Sequence, residues 1–130
     1  MPFSLKVLGP SRIVVITPSG PISDQEYRET FRRELANRLS DGPIRVLWDS
    51  RLVAKTESTE HVRGMVELMR HGAAKLAGAR IAIVAERSAA YGMARMLDVL
   101  TEHLPFELSV FRDFKEAVDW LRTGDEPDAA

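Results

Sequence analysis

The chain has 130 residues, a formal net charge of -1 at pH 7 and no cysteine. Hydrophobic residues make up 45% of it, and a chain of this length buries about two-thirds of its surface in one core. These values exclude a basic surface for nucleic acid, a disulfide scaffold and thiolate chemistry. No segment has the roughly 20 consecutive apolar residues of a membrane span, and the N-terminus does not resemble a signal peptide, so we expect a cytoplasmic protein.

The N-terminal segment predicts a β-hairpin. Gly-Pro dipeptides at 9–10, 20–21 and 42–43 each favour a turn, and the first separates two short strands at residues 5–8 and 12–17. Residues 13–16 are all apolar, which is typical of a strand covered on both faces. We therefore expect the second strand to be buried and the first to lie at an edge.

A first helix is predicted from Ser23, where the apolar period changes to four. Its apolar face consists of Tyr27, Phe31, Leu35 and Leu39. Ser23 and Glu26 have the spacing of a capping box. Three acid-to-base pairs, each four residues apart, occupy the opposite face: Asp24 with Arg28, Glu29 with Arg33, and Glu34 with Arg38. We interpret this face as solvated and not as a phosphate-binding cluster.

Strands and helices alternate through the rest of the chain. Strands are predicted at 44–48, 80–85 and 106–111, and helices after residue 57, near Ser88 and near Phe114. The buried stripe of the second helix comprises Val62, Met65, Val66, Met69 and Ala73. The order ββαβαβαβα predicts an α/β fold, with four helices on a mixed, largely parallel five-stranded sheet whose antiparallel edge is the hairpin. We expect one domain over residues 1–122 and an acidic, flexible tail over 123–130.

Four segments resemble the SpoIIAA-like family, small bacterial proteins related to STAS domains. They are Trp48-Asp49 after the third strand, residues 79–84 entering the fourth, residues 91–96 in the third helix, and Phe111-Arg112-Asp113 with Ala117 and Trp120-Leu121 in the last elements. The resemblance covers about residues 3–122. It implies a STAS-like fold, and because none of these segments is a catalytic motif, we expect no enzyme activity.

The resemblance also singles out Ser58. In STAS anti-sigma-factor antagonists, an aspartate after the third strand leads to an Asp-Ser-Ser-Gly motif whose serine is phosphorylated. Counting from Asp49 places residues 57–60, Glu-Ser-Thr-Glu, in that position and makes Ser58 the candidate phosphoacceptor. Glu60 replaces the glycine, and with Glu57 it surrounds the hydroxyl with charge that disfavours a phosphate. The alternative is that Ser58 or Thr56 only caps the second helix.

Metal-dependent reactions have little support in the sequence. His61 and His71 each lie four residues after a glutamate, Glu57 and Glu67, so each pair shares a helix face. The sequence places no third ligand beside either pair, and we interpret these side chains as solvated. We therefore predict no metal and no cofactor.

Asp49 follows a strand, as does the phosphoacceptor of a response-regulator receiver. A receiver also needs an acidic pair after its first strand, whereas the early strands here end in Gly9-Pro10 and Thr17-Pro18. We interpret Asp49 as a turn residue that accepts hydrogen bonds from nearby loop amides, and we predict no catalytic residue.

The third predicted helix has an unusual surface. Its stripe towards the sheet comprises Ala90, Met93, Ala94, Leu97, Leu100 and Leu104, and the opposite face comprises Tyr91, Arg95, Asp98 and Glu102. A flanking stripe is more apolar than a solvated helix requires: Gly92, Met96, Val99 and His103. Gly92 costs about 1 kcal/mol relative to alanine in a helix, which suggests close approach of another backbone or a ligand. The alternative is that this helix lies deep between its neighbours.

These observations predict a non-enzymatic, STAS-like binding module that engages a protein partner or a second copy of itself in bacterial regulation. The candidate partner or ligand surface comprises Asp49, Thr59, Tyr91, Gly92, Met96, Val99 and His103. SpoIIAA-like proteins are also similar in fold to the lipid-binding CRAL-TRIO domain, so the alternative is a carrier or sensor of a small apolar or amphipathic ligand. A phosphoswitch at Ser58 is a third hypothesis.

Overall fold

The computed structural model describes residues 3–9, 12–19, 23, 25–26, 28–30, 32–33, 44–53 and 58–123. Several predicted features lie outside these residues: the apolar face of the first helix, the turns at 20–21 and 42–43, Thr56, Glu57 and the tail from residue 124. The described strands are β1 (Phe3–Leu8), β2 (Ile13–Pro18), β3 (Arg45–Asp49), β4 (Arg80–Val84) and β5 (Glu107–Phe111). We call the helical positions 25–26, 28–30 and 32–33 α1; the other helices are α2 (Thr59–His71), α3 (Ala73–Leu76), α4 (Ser88–Thr101) and α5 (Phe114–Arg122).

The predicted α/β class is confirmed, and the sheet is mixed as expected. Its strand order is β1-β2-β3-β4-β5; β1 pairs antiparallel with β2, and every later pair is parallel. The helix count differs, since five helices are described where four were predicted. The second predicted helix ends at Gly72, whose N–H bonds back to the Leu68 carbonyl, so Ala73 lies in the short α3.

Helices cover the two faces of the sheet unequally. Right-handed crossovers between strands that follow one another in the same direction place their helices on one face. Accordingly, α2 and α4 pack together over the face that includes Ile81 and Ile83, while α5 packs over the face that includes Ala82 and Val84. The described residues form two apolar clusters, one on each side of the sheet.

Local signals in the sequence act as predicted at the helix starts. In the capping box, the Glu26 N–H donates to Ser23 Oγ and the Ser23 N–H donates to Glu26 Oε1, both at 3.1 Å. Asp113, which was not predicted as a cap, is the N-cap of α5 and accepts from the Glu116 N–H at 3.1 Å. Among the described residues, no helix is both long enough and apolar enough to cross a membrane.

Candidate functional site

Polar side chains collect where β3, β4 and β5 end, at what we call the carboxyl edge (Asp49, Arg51, Glu86 and Arg112). Asp49 is the last residue of β3, and Glu86 and Arg112 follow β4 and β5. Hydrogen bonds join the three loops. The Ser50 N–H donates to the last carbonyl of β4 at 3.0 Å, and Arg112 Nη1 donates to the Glu86 carbonyl at 3.0 Å. The loops therefore hold one another in place at this edge.

Asp49 has the predicted turn role and also an ion-pair role that the sequence did not indicate. The Arg51 N–H donates to Asp49 Oδ1 at 3.2 Å, which confirms the expected bond to a loop amide. In addition, the Arg51 guanidinium binds the carboxylate through both oxygens, each at 2.8 Å. Asp49 is 5% exposed. Its lone pairs are thus occupied by a neighbour in the loop.

The position of Arg51 depends on a distant element. Its guanidinium lies 4.9 Å from the centroid of the Phe114 ring, at the start of α5. The hydrogen bonds that Arg51 donates to Asp49 raise the pKa of Arg51 above its usual value; burial opposes this effect, and the charges of Asp49, Glu86 and Asp113 add to it. Arg51 therefore stays a cation, and its pairing with Asp49 is a fixed feature of the carboxyl edge. Sequence reasoning missed it because Phe114 is far away along the chain.

Tyr91 belongs to the carboxyl edge and not to the outward face of α4 where the helical wheel placed it. Its ring packs partly buried against the apolar cluster under α2 and α4. The Arg112 guanidinium lies 4.3 Å from the ring centroid. A cation in that position is attracted by the face of the aromatic ring. Tyr91 thus fixes Arg112 at the end of β5.

Ser58 is the N-cap of α2, as one of the two alternatives predicted. Its Oγ accepts from the His61 N–H at 3.1 Å, and its backbone is extended, as at most N-caps. Ser58, Thr59 and Glu60 are exposed. The hydroxyl is therefore accessible at the positive end of the α2 dipole, with one carboxylate, Glu60, in the first turn.

Glu67 and His71, the glutamate–histidine pair that the structure describes, do not form a metal grip. Glu67 binds Arg70 through its carboxylate, and His71 Nδ1 lies 2.8 Å from the Glu67 backbone carbonyl. The other pair includes Glu57, which lies outside the described residues. Over the described ranges, no group of three or more histidine, aspartate or glutamate side chains is placed to hold a metal ion.

The solvent-facing side of α4 carries the most unusual composition. We call it the outer surface of α4: Gly92, Arg95, Val99, Leu100, Glu102 and His103. Val99 is 54% exposed and Leu100 is 38% exposed. A Cβ at Gly92 would meet no atom within 4 Å. The close approach that Gly92 suggested is therefore not made by the described part of this chain, and the space above it is open.

Besides Tyr91, two of the predicted positions on α4 were wrong. Leu100 was assigned to the stripe that faces the sheet, but Thr101 is buried there instead, at 1% exposed. The Thr101 hydroxyl donates to the Leu97 carbonyl at 2.9 Å, so it satisfies its own polar group and can be buried. Met96, which was assigned to the flanking stripe, is partly buried and packs against the core.

Charges surround the exposed apolar pair on α4. Arg95 binds Asp98 at 3.1 Å. Burial raises the pKa of Asp98, Arg95 lowers it and Glu102 raises it further. Glu102 is the C-cap residue of α4. Its carboxylate therefore lies at the negative end of the helix dipole and close to a second carboxylate.

The structure divides the seven candidate residues into two groups. Asp49, Thr59 and Tyr91 lie at or near the carboxyl edge, whereas Val99 and His103 lie towards the opposite end of α4, with Gly92 and Met96 between. A 14-residue helix is about 20 Å long, which separates the ends of this set. The candidate residues do not form one pocket. They form a loop cluster and a helix surface.

Comparison with known proteins agrees with the fold. The SpoIIAA-like family model matches residues 13–122, most of the chain. A crystal structure of an uncharacterised protein of the DUF3478 family from Shewanella loihica PV-4, which has a SpoIIAA-like fold, superposes with a TM-score of 0.62. That alignment covers 92% of this chain and 91% of the other at 16% identity, so it shows a shared fold. Among curated proteins, none matches the sequence.

Proposed function

Since this chain belongs to the SpoIIAA-like family, we propose that it is a non-enzymatic binding module of bacterial regulation, cytoplasmic, that engages a protein through the outer surface of α4. The neighbouring helix α2 packs against α4 and extends this surface. Members of the family typically lack enzyme activity and often take part in protein interactions. The family therefore supports binding as the general function, and the geometry of α4 supports the surface.

The observation that carries the proposal is the exposure of Val99 and Leu100 side by side on one helix. Full burial of such a side chain is worth about 1.5–3 kcal/mol, and the exposed parts of both add up to nearly one whole side chain, so burying them would contribute about 1.5–3 kcal/mol to an association. Single exposed apolar residues are ordinary, but Val99 and Leu100 are both exposed within one turn of α4, and Gly92, two turns earlier on the side of Val99, leaves open space. A partner that covers it gains that free energy.

The carrier hypothesis has a different structural requirement. The space between the sheet and the helices α2 and α4 is filled by packed side chains, including Met65, Val66, Met93 and Met96. A small apolar ligand would have to move those side chains or the helices before it could enter. Protein binding on the outer surface requires no such rearrangement, and for this reason we favour it.

Site-specific photo-crosslinking tests the proposal. A photoreactive residue at position 99 should give a protein adduct in living cells, and one at Lys115, which is 82% exposed on α5, is the matched control. The adduct mass identifies the bound species. A protein adduct at 99 and none at 115 supports the proposal. An adduct of small mass at 99 would favour the carrier, and equal labelling at both positions would refute a specific surface.

Ser58 supplies a second candidate function, because its hydroxyl is exposed at the N-terminus of α2. Phosphorylation there would place a dianion at the positive end of the helix dipole, which is favourable, but also beside Glu60, which is not. Intact-mass measurement of protein from cells in exponential growth, starvation and stationary phase tests this. A mass increase of one phosphate that Ser58→Ala abolishes would support the switch, and an unmodified mass in all conditions would exclude it.

A further inference from the structure

The carboxylate of Glu102 lies exposed at the C-terminal end of α4. It caps the C-terminal end of α4, where the helix dipole favours a cation. It also lies close enough to Asp98 to raise the pKa of that carboxyl group. No ion pair joins Glu102 to a cation within the described residues. A cation from outside the chain would relieve this arrangement.

Arg95 is a cation on the same surface of α4, about two helical turns before Glu102. Arg95 precedes Glu102 by seven residues, so the two side chains lie on the same side of α4 and about 10 Å apart along its axis. Measured around that axis, Arg95 lies roughly 40° and Glu102 roughly 60° from Val99, in the same direction. Arg95 is 54% exposed and binds Asp98 through a single nitrogen. Within one chain, Arg95 is too far along the helix to pair with Glu102. A second copy of α4 running in the opposite direction brings them together.

We propose that the protein forms a homodimer in which α4 packs antiparallel against α4 of a second copy, with Arg95 of each copy paired with Glu102 of the other. This deepens the proposed function, because it names the partner of the same surface. A two-fold axis beside Val99 forms both ion pairs at once, since Arg95 and Glu102 are placed symmetrically about that residue. The two Val99 side chains then meet at the axis.

The other side of the same interface carries less charge. At roughly 100° per residue, Gly92, His103 and Met96 lie roughly 20°, 40° and 60° from Val99, on the side away from the ion pairs. Leu100 lies about 100° from Val99 and therefore at the margin of the interface. In an antiparallel pair related by a two-fold axis, equivalent sides of the two helices lie next to each other, so the ion pairs lie on one side of the Val99 contact and these residues on the other.

A single helix pair predicts a weak dimer. Its buried area falls at the lower end of specific interfaces, about 1,200 Å² in total or less, so we expect dissociation constants in the range of about 1–100 µM. The ion pairs set the register more than the affinity, because exposed pairs gain little while like charges in contact repel.

Charge reversal gives a direct test, with sedimentation velocity as the measurement over about 1–500 µM. R95E and E102R should each raise the dissociation constant by about tenfold or more, because each homodimer would hold two pairs of like charges. An equimolar mixture of the two variants should associate within about threefold of the wild type, because the mixed dimer restores both pairs. V99E should abolish association.

The control is K115E, which makes the same change of charge on exposed α5 and should leave association unchanged. Far-ultraviolet circular dichroism of every variant checks the fold, and rescue in the mixture shows that both chains are folded. A wild type that stays monomeric would overturn the dimer. A dimer that V99E leaves intact, or that the mixture does not restore, would overturn this arrangement. Crosslinking of position 99 to a different protein, with a monomeric wild type, would refute self-association while keeping the proposed function.

Discussion

Replacing Arg51 with methionine should destabilise the protein by about 2–3 kcal/mol, because it leaves the buried carboxylate of Asp49 without its cation. Methionine keeps an unbranched side chain that can pack on the Phe114 ring, so the substitution removes mainly the charge and its hydrogen bonds. The companion substitutions are Asp49→Asn, which keeps an acceptor for the Arg51 N–H, and the double variant. Together the three form a double-mutant cycle.

The magnitude follows from the exposure of the two partners. Removing one partner of a fully buried ion pair costs about 3–5 kcal/mol, because the remaining charge is stranded. The Asp49 side chain is 7% exposed, but that of Arg51 is 36% exposed, so water already screens part of the interaction. We therefore expect Arg51→Met to cost about 2–3 kcal/mol, less than the loss of one partner of a fully buried pair. Asp49→Asn should cost about 1–2 kcal/mol, since the stranded guanidinium can turn towards water.

Urea unfolding followed by far-ultraviolet circular dichroism measures these free energies at one low protein concentration. The double variant should be no less stable than Arg51→Met alone, because it no longer strands a carboxylate. A loss below about 0.5 kcal/mol for Arg51→Met, together with additive effects in the cycle, would refute the reasoning.

Three further predictions concern single elements. Ser58→Ala should cost about 1 kcal/mol of unfolding free energy by removing the acceptor of the His61 N–H, and Ser58→Asp should restore most of it; equal losses in urea titrations would contradict the cap. Leu121→Ala should cost about 3–4 kcal/mol because Leu121 is fully buried, while Leu52→Ala, at a 63% exposed site, should stay within about 0.5; thermal unfolding of both tests this. Burial raises the pKa of Asp98 above 3.8 in the folded protein, so ionisation of Asp98 lowers the free energy of unfolding as the pH rises. Asp98→Asn should therefore gain stability relative to the wild type between about pH 4 and pH 7. A difference in unfolding free energy that stays constant over this pH range would contradict the prediction.

Features that depend on neighbouring residues in the chain were predictable. The cap at Ser58, the capping box at Ser23 and the turn role of Asp49 each involve groups two or three residues apart, so their geometry follows from the local backbone. Hydrophobic periodicity likewise predicted the strands and the helices α2, α4 and α5, because an element must bury one face to be stable.

Features that depend on which surfaces meet were not predictable. By polarity alone, a helical wheel predicts that Leu100 is buried and Thr101 is exposed. The Thr101 hydroxyl, however, donates to a carbonyl of its own helix, which removes the cost of burying that polar group, and Thr101 is the buried one. Arg51 was missed for a related reason, because its position depends on the Phe114 ring in α5. In both cases a contact beyond the pattern decided the outcome.

By itself, the sequence determined the α/β class, the types and order of the strands and principal helices, and the absence of cysteine chemistry, because these depend on composition and on local periodicity. Only the tertiary structure decided that the strands lie side by side in chain order, which puts α2 and α4 on one face and α5 on the other. Long-range packing determines which strands lie next to each other, and local sequence patterns do not predict it. That choice leaves Val99 and Leu100 exposed to solvent on α4, where Arg95 lies about one turn before Val99 and Glu102 about one turn after it.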